Sequence, residues 1–73
     1  MSIVPQVPAH VMMRKLKRAG FEVIHQRGSH AKLRHPSTQR MVTIPIHPGD
    51  LSKKIVGKIL KQAGLTVEEF LDL

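Results

Sequence analysis

The dipeptide Gly28-Ser29 stands between two runs, FEVIHQR and HAKLRH, in which apolar and polar residues alternate over much of their length. Two residues with Gly at the first central position suit a type II′ β-hairpin, because that position needs a positive φ that glycine adopts without steric cost. The turn fixes a register that sets Arg27 opposite His30, His25 opposite Lys32 and Ile24 opposite Leu33. A second hairpin, closed by PSTQ before the run MVTIPI, sets Leu33 opposite Val42, Lys32 opposite Thr43 and Ala31 opposite Ile44. The two turns agree on the faces of one sheet. Ile24, Ala31, Leu33, Val42 and Ile44 point one way; His25, Arg27, His30, Lys32, Arg34 and Thr43 point the other. Val23 on the wet face and Gln26 on the apolar face fit this register least well, and a bulge would move either one. Glu22 falls on the face opposite His25.

The apolar face needs a cover, and two helical patterns flank the strands. In PAHVMMRKLKRAGF, Ala9, Met12, Met13, Leu16 and Ala19 recur at helical spacing, with Pro8 suited to the first turn and Gly20 to the left-handed position after the end. This predicts a helix over about 8–19. Ser52 is a good N-cap for a second helix whose Ile55, Val56, Ile59, Leu60 and Ala63 share a side before Gly64 stops it. Its lysines, Lys53, Lys54, Lys58 and Lys61, fall toward solvent. The endings KRAGF and KQAGL read as the same C-terminal capping chemistry, with Phe21 and Leu65 folding back. Thr66 and Glu69 form a capping box for a short third helix. The expected class is α+β, a two-layer sandwich in the order α-β-β-β-α with a three-stranded antiparallel sheet and a short C-terminal helix. That order resembles the double-stranded-RNA-binding domain.

The chain has 73 residues and no cysteine, so it is read as one domain, 1–73, that no disulfide or thiolate metal site can staple. Residues 1–7 are expected to form a loosely ordered extension. No apolar run is long enough to span a membrane, and MSIVPQVPAH lacks the basic start and apolar core of a signal peptide. A cytoplasmic protein is expected. The net charge is +7, and the imbalance lies in residues 1–49, which carry eight basic side chains and one acidic one. A field of that sign favours a polyanionic partner, nucleic acid or an acidic protein.

Five histidines raise the question of a metal, but none forms a helical HxxxH pair and no cysteine assists. No metal and no cofactor is expected. Ser29 as a nucleophile activated by His30 is set aside, because adjacent strand residues diverge and no carboxylate is placed to orient the imidazole. Acid–base work on RNA remains. Imidazole titrates near neutrality and can take the proton of a ribose 2′-OH or give one to a leaving oxygen, for a gain of typically ~10²- to 10⁴-fold. Arg27 across the hairpin and Lys32 two residues along share the face of His30, where they could hold the scissile phosphate. Exposed strand faces also carry His, Lys and Arg for solubility, so spacing leaves both readings open. His10 reads as a surface residue at the helix start, His35 as a residue beside Pro36 in the turn, His25 as either an auxiliary to His30 or a plain cross-strand neighbour of Lys32, and His47, between two prolines, as a structural residue that is only a reserve auxiliary to His30. With no Tyr or Trp and two Phe assigned to the core, base stacking is not supported.

The series Gly20-Phe21, Gly28-Ser29-His30, Pro45 and His47 after the third strand, and the close KILKQAGLTVEEF is similar to the HicA, or YcfA-like, family of mRNA interferase toxins of type II toxin–antitoxin systems. The resemblance covers about residues 11–73. It implies a double-stranded-RNA-binding-like fold, metal-free cleavage of mRNA, and a HicB-like antitoxin that covers the active site. The histidine of the family's Gly-Ser-His motif carries over to His30. The RNA-binding set is then Arg27, Gly28, Ser29, Lys32, Arg34, Lys53 and Lys54. This chain departs from the pattern at Pro8, where a Ser or Thr N-cap is ordinary, and at Ala31, where bulkier residues are frequent. Two other readings stay beside the ribonuclease: a non-catalytic RNA-binding module using the second helix's lysines, in which His30 is dispensable, and a scaffold for an acidic protein.

Overall fold

A computed structural model describes residues 3–73. Along the chain run β1 (Val7–Pro8), α1 (Ala9–Arg18), β2 (Glu22–Arg27), β3 (His30–Arg34), β4 (Met41–Pro45), β5 (Asp50–Leu51), α2 (Lys53–Ala63) and α3 (Val67–Leu71). The class is α+β: a helix, then the antiparallel meander β2-β3-β4, then the C-terminal helices. This order is compatible with a double-stranded-RNA-binding-like fold. Among the described residues no helix is long and apolar enough to cross a membrane.

Local chemistry sets the ends of each helix. Pro8, at φ −64° and ψ 154°, precedes α1 and contributes no side-chain cap. At the other end Phe21 N–H donates to Leu16 C=O at 3.0 Å and Gly20 N–H to Lys17 C=O at 3.1 Å, the paired bonds of a Schellman stop. The α2 ending repeats them, with Leu65 N–H to Leu60 C=O at 3.0 Å and Gly64 N–H to Lys61 C=O at 3.2 Å. Ser52 Oγ caps α2 by accepting from Ile55 N–H at 3.2 Å. Thr66 and Glu69 close the predicted capping box at 2.8 and 3.0 Å. Lys15 then ties α3 to α1, its Nζ donating to Phe70 C=O at 3.1 Å while lying 4.8 Å from the centre of the Phe70 ring.

The apolar face of the sheet is the floor of the core. Ala31, Leu33, Val42 and Ile44 are buried against Met12 and Leu16 of α1 and Val56, Ile59 and Leu60 of α2, with Phe21, Leu51 and Phe70 closing the cluster. Burying each of the larger side chains contributes about 1.5–3 kcal/mol relative to exposure. Both hairpin registers stand as expected through Arg27↔His30, His25↔Lys32, Lys32↔Thr43 and Leu33↔Val42. Gly28 has φ 57° and Ser29 is not among the positive-φ residues, as a type II′ turn requires.

The first strand departs from expectation at one residue. Val23 pairs with Leu33 and His25 with Lys32, so Ile24 is bulged out and is 46% exposed, not turned to the core. Upstream of the bulge the faces flip, which brings Glu22 opposite Arg34 on the wet face, contrary to the flush register. The physical reason lies at the two ends of the strand. Gly28-Ser29 fixes one, the α1 stop fixes buried Phe21 at the other, and an extra residue reconciles them. A second unanticipated feature is the short pairing of Val7 with Leu51 and Pro8 with Asp50. The expected loose extension falls in part on Met1 and Ser2, outside the described residues; Val4 and Val7 pack against the core.

Candidate active site

His30 begins β3 directly after the turn, and its position follows from the hairpin. Arg27 sits across from it on β2, and the next rung places His25, Lys32 and Thr43 side by side on β2, β3 and β4. Neighbouring strands lie about 4.8 Å apart and alternate residues about 6.7 Å apart along a strand, so these side chains stand within reach of one small substrate group. They line a shallow depression of about 300 Å³ formed by His25, Arg27, His30, Lys32 and Thr43 together with Ala31.

His30 also faces a second depression, of about 260 Å³, between the sheet and α2. Here α2 lies along the outer edge of β4, where Thr43 N–H donates to Gln62 Oε1 at 3.4 Å. That contact brings Lys58 to the rim, with Pro45, Ile55 and Gln62 beside it. No Asp or Glu lines either depression. The potential around His30 is therefore set by Arg27, Lys32 and Lys58, all exposed, and suits a phosphodiester. Ser29 Oγ approaches His30 Nδ1 at 3.5 Å, so the two side chains do not diverge as the strand argument expected. The contact is long for a hydroxyl–imidazole bond, whose usual length is about 2.8 Å, and no carboxylate completes a triad.

The remaining sequence-selected residues divide clearly. His25 shares the first depression with His30. His47 does not; its Nδ1 lies 3.1 Å from Pro48 C=O, in a recess shared with Pro8, His10 and Asp50. Arg34 is at the far end of β3, its guanidinium 3.4 Å from Gln39 Oε1 of the turn. Lys53 and Lys54 are exposed on the first turn of α2, outside both depressions. His35 is architectural. Its Nδ1 accepts from Ser37 N–H at 3.2 Å and Thr38 N–H at 3.3 Å, and its ring meets Phe21 edge-on at 5.2 Å.

Lys58 is the residue that sequence reasoning missed. Helical spacing sends it toward solvent, and only the docking of α2 on the β4 edge brings it beside His30. A wider surface concavity, about 650 Å³, lies elsewhere, between Met13, Arg14 and Lys17 of α1 and Gln26 and Ile46. It is wide open and holds none of the residues grouped around His30. Among the described residues no three of His, Asp and Glu converge as metal ligands would.

No curated protein matches the chain. A family model described as the HicA toxin of bacterial toxin–antitoxin systems matches residues 11–65, from α1 through the stop of α2 and across the whole sheet. That span is well over half of the chain, and the protein belongs to the HicA toxin family.

Proposed function

We propose that this toxin is a metal-independent endoribonuclease that cleaves mRNA, with His30 as its general acid–base. The observation that carries the reading is the depression in which His30, His25, Arg27 and Lys32 meet with no acidic residue on its walls. Arg27 and Lys32 bind the non-bridging oxygens of the scissile phosphate and stabilise the charge that grows on them as the 2′-oxygen attacks. The 2′-OH gives its proton to an imidazole, its oxygen bonds to phosphorus, and the P–O5′ bond breaks as the departing O5′ takes up a proton. The products are a 2′,3′-cyclic phosphate and a 5′-hydroxyl. His30 carries one of these proton transfers. His25, diagonal to it across the hairpin, is placed for the other; such diagonal positions lie about 7–8 Å apart, within reach of two long side chains.

The toxin–antitoxin family supplies the rest of the reading: a HicB-like antitoxin covers this basic face in a cytoplasmic complex and is held there in part by charge. The test is cleavage in excess EDTA of an RNA and of the same strand carrying 2′-deoxyribose throughout. Scission of the RNA alone, with a cyclic phosphate at the new 3′ end, is expected. RNA that is bound but left whole would make the fold a non-catalytic binding module.

A further inference from the structure

A half-buried glycine interrupts the lysine-bearing side of α2, and nothing within the chain accounts for it. Gly57 is the fifth residue of the helix, where glycine is the least favourable residue after proline. A Cβ built on it would meet no atom within 4 Å, so neither a neighbouring element nor a left-handed backbone requires its absence. The missing side chain leaves a notch in which the helix backbone itself is open to approach.

The notch has a charged surround. Gly57 follows Lys54 by three residues and precedes Lys61 by four, so the three form one stripe, and Lys58 lies about 100° to the side. All four line a single shallow groove. Lys58 is also on the rim of the depression that holds His30, so the two grooves share a wall. No acidic residue lines either one, and the α2 groove is walled by the aliphatic stems of three lysines with no Leu, Ile, Val, Met or aromatic side chain among them. The centre of a protein–protein interface is usually its most apolar part, and this groove places no large apolar side chain there. Three ammonium groups around bare backbone suit a polyphosphate strand instead.

We infer that Gly57, Lys54, Lys58 and Lys61 form a seat for the RNA backbone next to the scissile position, with Lys58 handing the strand from α2 to His30. The inference rests on the ribonuclease reading above. Without a Cβ at Gly57 a phosphate can sit against the helix surface while the flanking lysines close on it, and that costs the helix the stability an alanine would give.

The experiment pairs Gly57→Ala and Lys58→Gln with wild type in the full chain, measuring thermal unfolding, affinity for a short single-stranded RNA oligonucleotide across a salt series, and kcat/KM. Gly57→Ala should raise Tm by about 4–8 °C and weaken RNA binding about fivefold or more. Lys58→Gln should flatten the dependence of log affinity on log salt by about 0.7. A Gly57→Ala protein that binds and cuts RNA like wild type overturns the seat and leaves the ribonuclease reading standing. Wild type that neither binds nor cuts RNA overturns both.

Discussion

Arg27 and His30 face each other across the last rung of the β2–β3 hairpin, separated in sequence only by Gly28 and Ser29. The pairing makes the guanidinium a fixed neighbour of the imidazole, because a two-residue turn allows no slippage without turning the strand over. Replacing Arg27 by Lys keeps the charge and loses the planar fork that grips two phosphate oxygens. Arg27→Lys is expected to lower kcat/KM by roughly tenfold, and Arg27→Ala by roughly a hundredfold, with unfolding unchanged. Steady-state cleavage of a defined oligonucleotide separates the two.

His25 and His47 are predicted to differ although both were candidates on sequence. His25 lines the depression of His30, and His47 sits in a recess with Asp50 and Pro8. His25→Ala is expected to lower the rate at saturating RNA by about 10- to 100-fold, and His47→Ala by less than about twofold. A loss at His25→Ala as small as that expected at His47→Ala would remove His25 from the proton transfers.

The bulge at Ile24 gives a prediction about stability alone. With its side chain about half exposed and outside the core, Ile24→Thr should change the unfolding free energy by no more than about 0.5–1 kcal/mol. Leu33→Ala, in the fully buried core, should cost about 2–5 kcal/mol. Denaturant titration of both variants is decisive, since a flush register would make the Ile24 change nearly as costly as a core deletion.

Gly20 is a glycine that the fold does require. Its φ is 102°, and a Cβ there would lie 2.7 Å from His35 Nε2, the ring that braces Phe21. Gly20→Ala combines backbone strain with a clash and should lower stability by about 1–3 kcal/mol. The effect on Tm, about 4 °C or more of loss, is opposite in sign to that expected at Gly57.

These residues also show what was legible beforehand and what was not. The hairpin at Gly28-Ser29, the two Gly-terminated helix ends and the Thr66/Glu69 box were readable because each is settled by a few neighbouring residues. The strand faces followed from alternation once the turns were placed. Ile24 was misplaced because its orientation depends on Phe21, which is held by the end of α1 and not by anything in the strand. The pairing of Val7 with Leu51 joins segments too short to show periodicity. Lys58 beside His30 depends on Gln62 reaching the free edge of β4, a tertiary contact with no local signature. The choice of His30 rests on the turn, the charges around it and the family resemblance together.

The account depends most on His30. The direct measurement is cleavage of mRNA in excess EDTA by wild type and by His30→Ala, with circular dichroism to establish that both are folded. His30 is an exposed strand residue, so its removal should leave the fold intact. Cleavage by wild type and a loss of at least about a hundredfold in a folded His30→Ala is the predicted result. A folded His30→Ala that cuts RNA at the wild-type rate would contradict it.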